Sequence, residues 1–166
     1  MPQAPSKIWK DLPVDKRTAV ADAFWRTDQT SEDIDAQRAE AIVSIAQRLN
    51  FRPKSLQALP IERRAKQLAH LPDVSDTVAA RALIAYHMET KRPMMAAFLD
   101  AVGIAHEDGV ITADEISPPD AARLKAGIDA LRAAFPDDDV RLYLATLVAL
   151  DRDTWGGLED LEGQRA

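Results

Sequence analysis

Leu12-Pro13-Val14-Asp15-Lys16-Arg17 and Leu59-Pro60-Ile61-Glu62-Arg63-Arg64 are one hexapeptide pattern written twice. Each is followed by an amphipathic stretch, a second helical stretch and a basic-Pro pair, Arg52-Pro53 and then Arg92-Pro93. Proline suits the first residue of a helix, where its missing N–H costs little. After Pro13, the residues Val14, Ala19, Val20, Ala21, Ala23 and Phe24 form an apolar stripe to about Arg26. After Pro60, Ala65, Leu68, Ala69 and Leu71 do the same. The pattern therefore predicts repeated helical hairpins. Pro13 to Pro53 is 40 positions and Pro60 to Pro93 is 33. The difference of seven is close to two helical turns of 3.6 residues, so one helix can be longer without rotating its apolar face.

Outward from these units the chain remains helical. Ser31-Glu32-Asp33 is a helix start, with Ser31 as cap and acids in the first turn. Ile34, Ala41, Ile42, Ile45 and Leu49 follow at helical spacing, and Asn50 ends the run. The stretch from about Asp76 to Thr90 is apolar on most sides, which predicts a helix in the middle of a bundle. Pro93 opens another helix, and Gly103 is its natural stop. A third unit aligns with the second at an offset of 64, matching Phe135-Pro136-Asp137 to Leu71-Pro72-Asp73, Val140 to Asp76 and Leu142 to Val78. Only Gly109-Val110-Ile111-Thr112 hints at a strand. The expected fold is all-α: about eight short helices in antiparallel hairpins, as a compact bundle or a short solenoid-like array with weak internal repeats. The expected organisation is one helical domain of residues 1–166, loose over 1–6 and frayed over 162–166. The tetratricopeptide and ankyrin signatures are absent.

The chain of 166 residues is long enough for a core without covalent staples. Cysteine is absent, which excludes disulfides and thiolate metal sites and suits a reducing compartment. No secretory signal core opens the chain and no run reaches a membrane span, so a cytoplasmic protein without a membrane partner is expected. Richness in Ala, Arg and Asp is bacterial in type. The net charge of −6 disfavours generic nucleic-acid binding. Its distribution is uneven. Residues 1–105 carry 15 Lys and Arg against 13 Asp and Glu, whereas residues 106–166 carry 6 against 14. Arg48, Arg52, Lys54, Arg63, Arg64 and Lys66 gather with Phe51 and with only Glu62 against them. This cluster is a candidate surface for an acidic partner or nucleic acid, or a solvated rim that faces the acidic third.

Ile104 to Glu115 reads Ile-Ala-His-Glu-Asp-Gly-Val-Ile-Thr-Ala-Asp-Glu and resembles a degenerate EF-hand calcium loop. The resemblance implies oxygen ligands at loop positions 5, 9 and 12, which fall on Asp108, Thr112 and Glu115, with Gly109 at position 6 and Ile111 at 8. Positions 1 and 3, which should offer oxygen, are Ile104 and His106. The residues alone read as an ordinary Asp-Gly turn with Ile111 tucked into the core.

Other chemistry finds little support. His70, His87 and His106 are scattered without a metal spacing. His87 reads as a hydrogen-bonded core residue and His70 as a residue favouring a helix C-terminus. Asp137-Asp138-Asp139, Asp114-Glu115 and Asp120 read as acidic helix caps. Six glycines leave little for a phosphate loop. Trp155, ahead of Gly156-Gly157, docks either on its own domain, where Trp9 and Trp25 are candidate neighbours, or on a partner. The leading expectation is a non-enzymatic interaction or regulatory module that needs no cofactor and takes a protein partner or a second copy of itself. The alternatives are nucleic-acid association through residues 48–66 and a small-ligand or enzymatic site near His87 and Tyr86.

Overall fold

Proline opens these helices in two ways. The computed structural model describes residues 3–27 and 32–163. Their helices are α1 Pro5–Asp11, α2 Val14–Arg26, α3 Glu32–Leu49, α4 Pro53–Gln57, α5 Ile61–Ala69 and α6 Asp76–Thr90. After these come α7 Arg92–Val102, α8 Ala121–Ala134, α9 Asp137–Leu150, α10 Arg152–Trp155 and α11 Gly157–Gly163, with strands β1 His106–Glu107 and β2 Val110–Ile111 between α7 and α8. Pro5, Pro53 and Pro93 lie in the first two residues of their helices. Pro13, Pro60 and Pro136 lie one residue before theirs, extended at ψ 154°, 153° and 141°. Their carbonyls accept the first helical bonds, from the amides of Arg17 at 2.9 Å, Arg64 at 3.1 Å and Val140 at 3.1 Å. The helix start expected at Pro13 is therefore displaced by one residue. The Leu-Pro repeat is a repeat of this entry geometry.

Two exits follow their sequence signals. Asn50 and Gly103 take the left-handed conformation, at φ 56° and 76°. The next amides then turn back, Phe51 to the Ala46 carbonyl at 3.0 Å and Ile104 to the Leu99 carbonyl at 2.9 Å. The cap expected of Ser31 lies outside the described residues. The start of the chain is helical from Pro5, earlier than the expected loose segment allows, because the Ser6 amide donates to Asp76 Oδ1 at 3.0 Å.

The helices form two compact units, Ala4–Thr90 and the residues from Lys91 onward, to which Gln3 also belongs. In the first unit α6 packs on α1, α2 and α3, as its all-round apolar sequence predicts. Val20, Phe24, Ile45, Leu56, Leu68 and Leu83 are fully buried. The two helices that follow the Leu-Pro motifs, α2 and α5, pack on each other and run antiparallel. Arg26 at the end of α2 pairs with Glu62 at the start of α5 at 2.7 Å, and Arg17 near the start of α2 reaches the Leu71 carbonyl past the end of α5 at 3.4 Å. A solenoid would set equivalent helices parallel. This unit is a bundle.

In the second unit α7 packs on α8, and α9 and α11 complete a core around Phe98, Leu131, Tyr143 and Trp155. The offset-64 alignment holds only in part. Leu142 and Val78 are both buried, but Val140 is buried where Asp76 is exposed. The strands form a two-residue hairpin turned by Asp108 and Gly109, at φ 50° and 86°, with His106 opposite Ile111 and Glu107 opposite Val110. A Cβ at Gly109 would stand 2.9 Å from the Met95 Cβ, so this turn needs glycine for space as well as for φ.

Candidate functional site

The basic stretch divides into an exposed part and an inward part. Arg48, Arg52, Lys54, Arg63 and Lys66 are exposed, and none has an acidic partner among the described residues. Arg48 donates from Nη1 to the His70 carbonyl at 2.6 Å. His70 closes α5, with its amide at 3.3 Å and its Nδ1 at 2.7 Å from the Lys66 carbonyl. The end of α3 is thereby tied to the last turn of α5, which brings Arg48 to the turn that carries Lys66. Arg52 and Lys54 sit on the α3–α4 corner beside Phe51, which the left-handed Asn50 presents to solvent at 56% exposure. Glu62 is the one acid in this stretch, and Arg26 holds it at 2.7 Å. Its own backbone amide, then Arg26, keeps that carboxyl below the usual carboxylate range.

Arg64 points elsewhere. Its guanidinium lies over the Trp25 ring, 5.1 Å from the centroid. Burial, then the charge of Arg38, makes its proton easier to lose than that of an ordinary arginine. Arg38, which no sequence signal marks, donates to the carbonyls of Phe24, Trp25 and Thr27 at the end of α2, at distances of 3.0 to 3.4 Å. A cation at a helix C-terminus could be foreseen only by knowing that α3 folds back across α2.

The loop that resembles a calcium site folds onto itself as the β1–β2 hairpin. His106 Nε2 lies 2.6 Å from Asp100 Oδ1, and its Nδ1 accepts from the Gly109 amide at 3.1 Å, which assigns the proton to Nε2. Asp108 Oδ2 faces Arg92 at 3.6 Å, while Thr112 and Glu115 are exposed. Among the described residues no three His, Cys, Asp or Glu side chains form a group that could hold a metal ion. Asp114 and Glu115 cap no helix, because the chain stays irregular from Thr112 to Asp120. Asp120 does cap one, accepting from the Arg123 amide at 2.9 Å.

His87 is 3% exposed, with Nδ1 2.8 Å from the Leu83 carbonyl of its own helix. Of the two readings of Trp155, docking on its own domain or on a partner, the structure shows the first: it is a core residue, 3% exposed, and its ring lies 5.6 Å from that of Phe98. Trp9 and Trp25 belong to the other unit. The short helix α10 turns the Trp155 indole inward, and Asp151 caps that helix through Thr154. The second unit also has an apolar groove of about 320 Å³ between α9 and α11, walled by Leu144, Ala145, Val148 and Leu158. No described helix is long and apolar enough to cross a membrane. Compared with known proteins, the chain matches no family model, no curated protein and no solved structure.

Proposed function

We propose that the protein is a non-enzymatic interaction module that docks an acidic protein segment on the surface carrying Arg48, Arg52, Lys54, Lys66 and Phe51. One observation carries the reading: these cations are exposed and unanswered by any acid of the described chain, and the exposed Phe51 adjoins Arg52 and Lys54 on the α3–α4 corner. Cations at the rim would steer an acidic partner and fix its register. Phe51 would supply the apolar anchor that gives an interface its strength. Single-stranded nucleic acid is the second reading, because Phe51 also offers a face on which a base could stack. The net charge of −6 weighs against it.

Lysate passed over the immobilised protein at low and high salt tests the choice, run beside a Phe51→Ala, Lys54→Glu variant. The expected result is a protein that is retained at both salts and lost from the variant. Nucleic acid retained only at low salt would select the second reading. Identical retention by the variant would overturn both.

A further inference from the structure

The corner that carries Phe51, Arg52 and Lys54 has a counterpart of opposite charge in the other unit. Where the irregular stretch after β2 meets the start of α10 lies an open cavity of about 440 Å³. It is lined by Ile111, Ile116, Asp114, Glu115, Asp151 and the core residue Trp155, all within the unit that starts at Lys91. Its size falls among ligand pockets, which run from roughly 300 to 1,000 Å³. Ile111 and Ile116 pack on the core of the unit but remain only partly buried. Asp114 and Glu115 are exposed, and no cation answers them among the described residues. Other acids of this unit are answered: Asp137 by Arg141 at 2.8 Å, Asp139 by Lys91 at 3.2 Å and Glu159 by Arg152 at 3.1 Å. Asp151, which caps α10 through Thr154, adds a third carboxylate to the cavity.

We infer that the occupant of this cavity is a second copy of the chain, which inserts Phe51 between Ile111 and Ile116 and sets Arg52 and Lys54 against Asp114 and Glu115. The inference rests on the docking surface proposed above and names its partner. The two patches complement each other in both respects that matter. One is an exposed aromatic side chain flanked by unanswered cations, and the other is an apolar cavity rimmed by unanswered carboxylates. A small cation would satisfy the carboxylates and leave the isoleucines wet, whereas a neutral apolar molecule would do the reverse. The unit that holds the cavity carries 8 Lys and Arg against 15 Asp and Glu, so its field attracts the basic corner. An aromatic anchor in a pocket, ringed by charges of opposite sign, is the usual arrangement of an interface hot spot. The contact joins two different patches, so each can be disabled without touching the other.

Light scattering on the full chain, from micromolar to millimolar concentration at low and high salt, tests the inference. The expected result is an average mass that rises with concentration, and rises less at high salt. Phe51→Ala, Lys54→Glu removes the inserted corner, and Asp114→Asn, Glu115→Gln neutralises the rim. All four positions are exposed, so folding stays out of the readout. Each double variant alone should associate at least tenfold more weakly than wild type. An equimolar mixture of the two variants should form a two-chain species, because one variant keeps the corner and the other keeps the cavity. A wild-type chain that stays monomeric throughout would overturn the inference. The docking surface would survive that result if a lysate protein were still retained through Phe51 and Lys54. Association weakened by the Phe51 variant alone would also leave the docking surface standing and remove the cavity as its partner. Association that neither variant weakens, or a mixture that forms no two-chain species, would overturn the inference as well.

Discussion

Gly127 lies in the middle of α8, where alanine would ordinarily favour the helix by about 1 kcal/mol. Here a Cβ would stand 2.7 Å from Phe98 Cε2 and 2.8 Å from Val102 Cγ1. Both residues are fully buried on α7 and have nowhere to retreat. Overpacking of this kind costs about 1–3 kcal/mol, enough to exceed the helical gain. Gly127→Ala is therefore expected to lower stability by about 1 kcal/mol in a urea titration. An unchanged or raised midpoint would mean that Phe98 can yield. Gly157 is the contrasting case. A Cβ there meets only Leu124 Cδ1, at 2.8 Å, the far end of a flexible side chain, and Gly157→Ala should be nearly neutral by the same titration. No sequence pattern separates these two glycines, because the difference lies in what packs against each.

Several helix ends are closed by side chains far away in sequence. Arg123 of α8 donates to the Val102 and Gly103 carbonyls at the end of α7, at 2.6 and 3.2 Å. Arg38 closes α2, and Arg48 closes the end of α5. Arg123→Ala should lower stability by about 1 kcal/mol, by loss of charged hydrogen bonds and of the favourable dipole contact. Amide exchange at Gly103 and Ile104 should rise first, and exchange that rises equally throughout the unit would refute a local cap. At the other polarity, Asp76 accepts from Ser6, whose side chain and then amide hold its carboxyl below its ordinary value of 3.8. A folded-state pKa below the unfolded one stabilises above the unfolded value and is lost as pH falls through the folded one. The stability gap between wild type and Asp76→Asn should therefore be present at about pH 5 and close below pH 3.8. A gap that persists in acid would assign the effect to packing. Local caps such as Asn50, Gly103 and Asp120 are legible in sequence because every partner lies within a few residues. Asp76 and Ser6 are 70 positions apart, so that cap could not be read before the fold was known.

At the scale of the molecule, the helical class and the buried character of α6 are legible because both rest on periodicity alone. The arrangement of the Leu-Pro units is not, since periodicity fixes which face is apolar and leaves open what covers it. The charge split follows the two units. Ala4–Thr90 holds 13 Lys and Arg against 12 Asp and Glu, and the remainder holds 8 against 15. The basic surface thus belongs to a nearly neutral unit and stands out only locally. Antiparallel packing of α2 on α5 has a consequence for cooperativity. In a solenoid each repeat touches only its neighbours, and damage stays near its source. In this bundle α6 touches α1, α2 and α3 at once. Leu83 on α6 is fully buried, so Leu83→Ala should cost about 2–5 kcal/mol through lost burial and the cavity left behind. Native-state hydrogen exchange should then accelerate together in α1, α2, α3 and α6, because their slowest amides exchange only when the whole unit opens. Acceleration confined to α6 and one neighbour would show repeat-like, stepwise opening and would count against the bundle.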